Sequence, residues 1–94
     1  MAEDMRYLIT RGRRYWLQLA TPRPLRDRLP HMIQKSLGTP SLKEAQTLRW
    51  AYVNGWKHAW ELATANKKMT REEVEKIAAA EIEKLQLLER GGRV

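Results

Sequence analysis

The stretch "RYLITRGRRYWLQLATPRPLRDRL", Arg6 to Leu29, decides how the chain starts to fold. Seven of its 24 residues are arginine and only Asp27 is acidic. Apolar and aromatic residues recur between the arginines, which a disordered basic tail does not need. "MRYLIT" and "RYWLQLA" are rich in the β-branched and aromatic residues that strands favour, and Gly12 between them is free to take positive φ. A three-residue loop over 11–13 pairs Thr10 with Arg14, Leu8 with Trp16 and Arg6 with Gln18. The other face then pairs Ile9 with Tyr15, Tyr7 with Leu17 and Met5 with Leu19. Side chains alternate faces along a strand, so this register predicts one apolar face toward a core. The opposite face presents Arg6, Leu8, Thr10, Arg14, Trp16 and Gln18 outward.

Downstream, the prolines of "TPRPLRDRLP" forbid a regular element. "HMIQKSLG" reads as a third strand, with Ile33 and Leu37 on one face and Met32, Gln34 and Ser36 on the other. Lys35 interrupts the apolar side and is expected at an edge, reaching water. Ser41 and Glu44 form a capping-box pattern, and an apolar stripe (Leu42, Ala45, Leu48, Tyr52, Trp56, Ala59, Ala63) predicts one helix over about 42–65. Trp50 falls off that stripe, which marks a contact with the next helix or with a partner. Thr70 and Glu73 repeat the capping pattern before a second helix bearing Val74, Ile77, Ala78, Ile82, Leu85 and Leu88, which the glycines at 91 and 92 end.

The expected fold class is α+β: a three-stranded antiparallel sheet at about 6–10, 14–20 and 32–37, packed on one long α-helix and followed by a second C-terminal helix. The predicted organisation is a sheet-plus-helix domain over 1–66. Residues 67–94 form a linker and helix.

Composition narrows the function. The 94 residues carry a net charge of +7 and no cysteine, which excludes disulfides, thiol nucleophiles and thiolate metal sites and suits a reducing cytoplasm. Met5 to Lys43 holds nine bases and one acid, whereas Arg71 to Arg90 holds four bases and six acids. The positive charge is concentrated in the N-terminal half, which suggests a polyanion partner meeting one part of the molecule. The longest uncharged run, Tyr15–Pro22, is eight residues, far short of the roughly 20 that span a bilayer. "MAEDMRYL" has acids and no long apolar run, so no secretory signal is expected.

"YLITRGRRYWLQLATPRPLRDRL", "IQKSLGTPSLKEAQTLRW" and "MTREEVEKIAAAEIEKL" together resemble the N-terminal region of phage-type integrases, the tyrosine recombinases. The matching features are Tyr7–Leu8, the turn Arg11–Arg13, Tyr15–Leu17, Pro22–Arg26, Ser36–Thr39 and Lys43–Ala45. The family often has a basic run before the proline, where this chain has "LQLA". The resemblance implies a domain that binds arm-type sites in double-stranded DNA or pairs integrase protomers, acting at the nucleoid of a bacterial or phage-infected cell. It also implies that catalysis belongs to a separate domain lying beyond residues 67–94.

No catalytic residue is assigned. His31 and His58 lack the His-x-x-Arg pattern of the recombinase site, and Tyr7, Tyr15 and Tyr52 fall on apolar faces. No phosphate-cradling loop or metal-ligand spacing occurs, so neither metal, cofactor nor small-molecule substrate is expected and the chain alone is not read as an enzyme. The candidate DNA contacts are Arg6, Arg11, Arg13, Arg14, Trp16, Gln18, Arg23, Gln34 and Lys35. Trp16 is read equally as a stacking group and as a residue covered by the following chain. Trp50 and Trp60 are the candidate protein-interaction surface. Two alternatives stand beside DNA binding: an interaction module that assembles integrase protomers, and a stand-alone phage regulator with the same fold.

Overall fold

The computed structural model describes residues 5–91. It contains strands β1 (Leu8–Arg11), β2 (Arg14–Ala20) and β3 (Met32–Ser36), then helices α1 (Leu42–Ala65) and α2 (Arg71–Gly91). The strands form one antiparallel sheet in the order β1-β2-β3. Fold class and element order are those the sequence predicts; Gly92, expected to help stop α2, lies outside the described residues.

The hairpin register corrects the expectation. Arg11 pairs with Arg14, Thr10 with Tyr15, Ile9 with Trp16 and Leu8 with Leu17. The loop is therefore two residues, Gly12 and Arg13, not three. Gly12 has φ 61° and Arg13 does not share the positive φ, as in a type II′ turn with glycine first. The one-residue slip inverts β1: Leu8 is buried at 6% exposure beside Leu17 and Leu19, while Ile9 and Arg11 turn outward. Just before β1, Tyr7 takes φ 63°, a left-handed conformation that costs a non-glycine residue on the order of 1 kcal/mol. Its carbonyl accepts from Gln18 N–H (2.8 Å), Leu8 N–H closes a turn onto Met5 (2.9 Å), and its ring meets Trp50 edge-on at 6.2 Å. The turn takes Arg6 away from the sheet and toward α1.

Between β2 and β3 the prolines make a short 3₁₀ turn, Arg23–Leu25, and the loop buries Leu25 and Leu29. Thr21 closes the loop, donating its N–H to His31 and its hydroxyl to the Pro30 carbonyl. Arg26 and Arg28 are structural here. Arg26 Nε donates to the Thr21 carbonyl (2.8 Å), and Arg28 reaches the carbonyls of Ala63 (2.8 Å), Lys67 (3.0 Å), Asn66 and Met69 (both 3.3 Å). A guanidinium on the Ala63 carbonyl in the last turn of α1, and on carbonyls of the segment that follows, satisfies a group the helix leaves open and sits at the negative end of its dipole.

Both helix starts are capped. Thr70 and Glu73 exchange bonds as a full capping box. At α1, Ser41 Oγ accepts from Glu44 N–H, but the Glu44 carboxylate is taken by the Thr39 hydroxyl, which itself accepts from Ser41 N–H. The reciprocal half of that box thus runs through Thr39.

One face of the sheet packs on α1, and α2 lies against α1. Leu17, Leu19, Leu25, Leu29, Val53, Trp60, Val74 and Ala78 join one core. Ala51, Gly55, Ala59 and Ala63, spaced four apart, are all buried. At Gly55 the helices are so close that a Cβ would overlap the Ile82 side chain and lie 3.2 Å from both Ala78 O and Ile82 N. Gly55 is therefore a point of close approach between the helices and not merely a weak helix residue.

That geometry fixes the sign of a substitution. On an exposed helix Gly55→Ala would gain about 1 kcal/mol, but overpacking here costs about 1–3 kcal/mol. We expect a lower thermal midpoint, by about 4–8 °C per kcal/mol lost in a domain of this size. An unchanged or raised midpoint would contradict the close approach.

Candidate nucleic-acid interface

Register parity defines the sheet's outer face. The residues alternating with the buried Leu8, Leu17 and Leu19 are Ile9 and Arg11 on β1, Arg14, Trp16, Gln18 and Ala20 on β2, and Met32, Gln34 and Ser36 on β3. None is acidic, and the two arginines at its end flank the exposed Arg13 at the turn.

The polar members are tied together. Arg11 donates to Gln34 Oε1 (3.0 Å), Gln34 Nε2 donates to Gln18 Oε1 (3.0 Å), and the Arg11 guanidinium lies 5.0 Å from the Trp16 ring centre. Arg14 donates to the Gly38 carbonyl (3.1 Å) across the sheet's end. Each bond spans two strands or a strand and the following loop, which limits the rotamers of long side chains and lowers the entropy a partner must remove. Arg11, Arg13 and Arg14 are exposed, as is Gln34, while Trp16 and Gln18 are half-buried in the face.

Of the nine residues proposed from sequence, Arg11, Arg14, Trp16, Gln18 and Gln34 share this face, with Arg13 beside it at the turn. Arg6 is elsewhere: its guanidinium lies 5.4 Å from the Trp50 ring centre, and its carbonyl accepts from the buried Arg49 (3.0 Å). Lys35 pairs with Leu17 and so belongs to the opposite face, exposed on edge strand β3. Arg23 sits in the 3₁₀ turn after β2.

The two tryptophans expected at an interaction surface separate. Trp50 is half-buried between Tyr7, Arg6 and Arg49. Trp60 is 6% exposed and belongs to the core, 6.2 Å from Trp56. It lies one residue from Ala59 and three from Ala63, on the buried side of α1.

Sequence reasoning missed Ile9 and treated Arg11 as a tip residue only. A two-residue turn with glycine first was the available signal, because it moves both to the outer face at once.

Arg28 and the outer-face arginines should separate experimentally. Arg28→Met should cost about 1–3 kcal/mol of stability by uncovering α1's terminal carbonyls. Arg11→Ala and Arg14→Ala should change stability by no more than about 0.5 kcal/mol, as for other surface substitutions. Chemical denaturation measures all three; an Arg28→Met protein as stable as the parent would contradict the capping role.

No curated protein and no solved structure matches this chain. Residues 7–80 match the family model of a domain of unknown function, DUF6538, a span that takes in the sheet, α1 and the first turns of α2, and the chain belongs to that family.

Proposed function

We propose that the outer sheet face binds double-stranded DNA, and that the chain serves as the N-terminal DNA-binding domain of a phage-type site-specific recombinase at the bacterial nucleoid. One observation supports this most: an acid-free face bearing Arg11, Arg14, Gln18 and Gln34, with Arg13 at its end. A solvated surface ordinarily mixes charge signs, and this one does not. A two-stranded ribbon fits the major groove, roughly 12 Å wide. The hairpin would enter it with the turn arginines on phosphates, which set register and orientation, and the face behind them toward base edges. The side chains offered are hydrogen-bond donors and a polarisable ring, suited to binding and not to bond cleavage, so the recombination chemistry would belong to another domain.

The interaction-module reading has its own support. Leu87 and Leu88, at the far end of α2, are 59% and 61% exposed, and α2 carries the excess acid. That end would receive another protein, an integrase protomer included, better than it would receive DNA.

Salt dependence separates the two readings. Three phosphate contacts, from Arg11, Arg13 and Arg14, predict a slope of log affinity against log salt of about −2.7. Arg13→Ala should flatten it by about one unit while the protein stays folded. Leu17→Asp should abolish binding by unfolding the sheet, seen as lost thermal cooperativity. If folded Arg13→Ala and Arg11→Ala/Arg14→Ala proteins bind duplex as the parent does, with the same slope, the outer face is solvated surface and the protein-interaction reading takes its place.

A further inference from the structure

The chain of bonds on the outer face has a direction. Arginine only donates, so the Gln34 atom facing Arg11 is its carbonyl oxygen. That turns Gln34 Nε2 toward β2, where its partner must accept, so Gln18 presents Oε1 to it. Arg11 thereby sets the orientation of both amides. Each carbonyl oxygen already accepts one bond within the face, and the amide donors left to face a base are the second hydrogen of Gln34 and both hydrogens of Gln18. No further bond of Gln18 Nε2 is made among the described residues.

We infer that the face reads guanine in the major groove, an inference that rests on the DNA-binding reading above. Guanine offers two acceptors there, N7 and O6, with no donor. Adenine sets an N6 donor beside its N7, and cytosine offers a donor alone, so each opposes a row of N–H groups with another N–H. Thymine offers one acceptor beside a methyl group. A free glutamine prefers adenine because it both accepts and donates. Gln18 is less suited to that pairing, because one lone pair of its oxygen already accepts from Gln34 and that bond fixes the plane of its amide. The preference is thus a property of the three-residue chain, not of any one side chain.

Two changes separate this from a general basic surface. Gln34→Leu removes the link, frees the Gln18 amide to rotate and should shift the preference from guanine toward adenine. It leaves Arg13 and Arg14, and so most of the phosphate contact, in place. Replacing guanine with 7-deazaguanine deletes the N7 acceptor without altering pairing or phosphate charge.

The experiment selects duplexes from a library with a randomised core, using the full chain, then measures affinity and salt slope for the selected duplex and its 7-deazaguanine form. The selected core should contain guanine steps. The modified duplex should bind roughly five- to a hundredfold more weakly with an unchanged slope, and Gln34→Leu should lose that discrimination. Salt-dependent binding with no guanine enrichment, or with full affinity for the 7-deazaguanine duplex, would overturn the inference while leaving DNA binding in place. A folded protein that binds no duplex would remove both.

Discussion

A two-residue turn governs what this sheet shows to the outside. Because side chains alternate along a strand, adding one residue at Gly12–Arg13 would exchange the two faces of β1. With glycine at the first turn position and φ 61°, Arg11 pairs with Arg14, and both project from the same side as Trp16 and Gln18. Leu8 then joins Leu17 beneath the sheet. A longer turn would bury Ile9 and expose Leu8, and Arg11 would lose its bond to Gln34. The bonded face and the core under it therefore depend on one local choice of backbone.

The rest of the molecule keeps that hairpin on a rigid base. Helices can approach closely only where side chains are small, and the Ala51, Gly55, Ala59 and Ala63 stripe lets α2 settle against α1. Val74 and Ala78 then enter the same core as Leu17 and Leu19, so α2 supports the sheet through α1 although it does not pair with it. Arg28 ties the β2–β3 loop to the end of α1, and Arg49 ties the start of the chain to its middle. These arginines act on carbonyls inside the protein. Arg11, Arg13 and Arg14 near the turn are instead exposed at the surface.

Much of this was legible in the residues themselves. Strand content, proline punctuation and capping residues gave the element order, and α1 spans the predicted 42–65 because an apolar stripe and a Ser41 cap define it from both ends. Lys35 lies at an exposed edge, as its awkward position implied. The apolar pattern alone did not give parity in a hairpin whose β1 is amphipathic in either register: Leu8 and Ile9 are adjacent and equally apolar, so the length of the Gly12–Arg13 turn decides which is buried. Tyr7's left-handed backbone also had no local signal, since glycine or asparagine ordinarily marks such a turn. That turn moves Arg6 off the face. The division of the arginines was hidden for a similar reason: Arg28 differs from Arg13 only in what folding brings beside it.

A nitrogen–proton NMR titration of the full chain with duplex DNA tests most directly whether the outer sheet face is the interface, because the four tryptophan indoles sit in different places. The Trp16 indole, the Gln18 and Gln34 side-chain amides and the backbone amides around Gly12 should shift together, while the core indole of Trp60 stays in place. Shifts confined to α2 near Leu87 and Leu88, with the sheet silent, would contradict it.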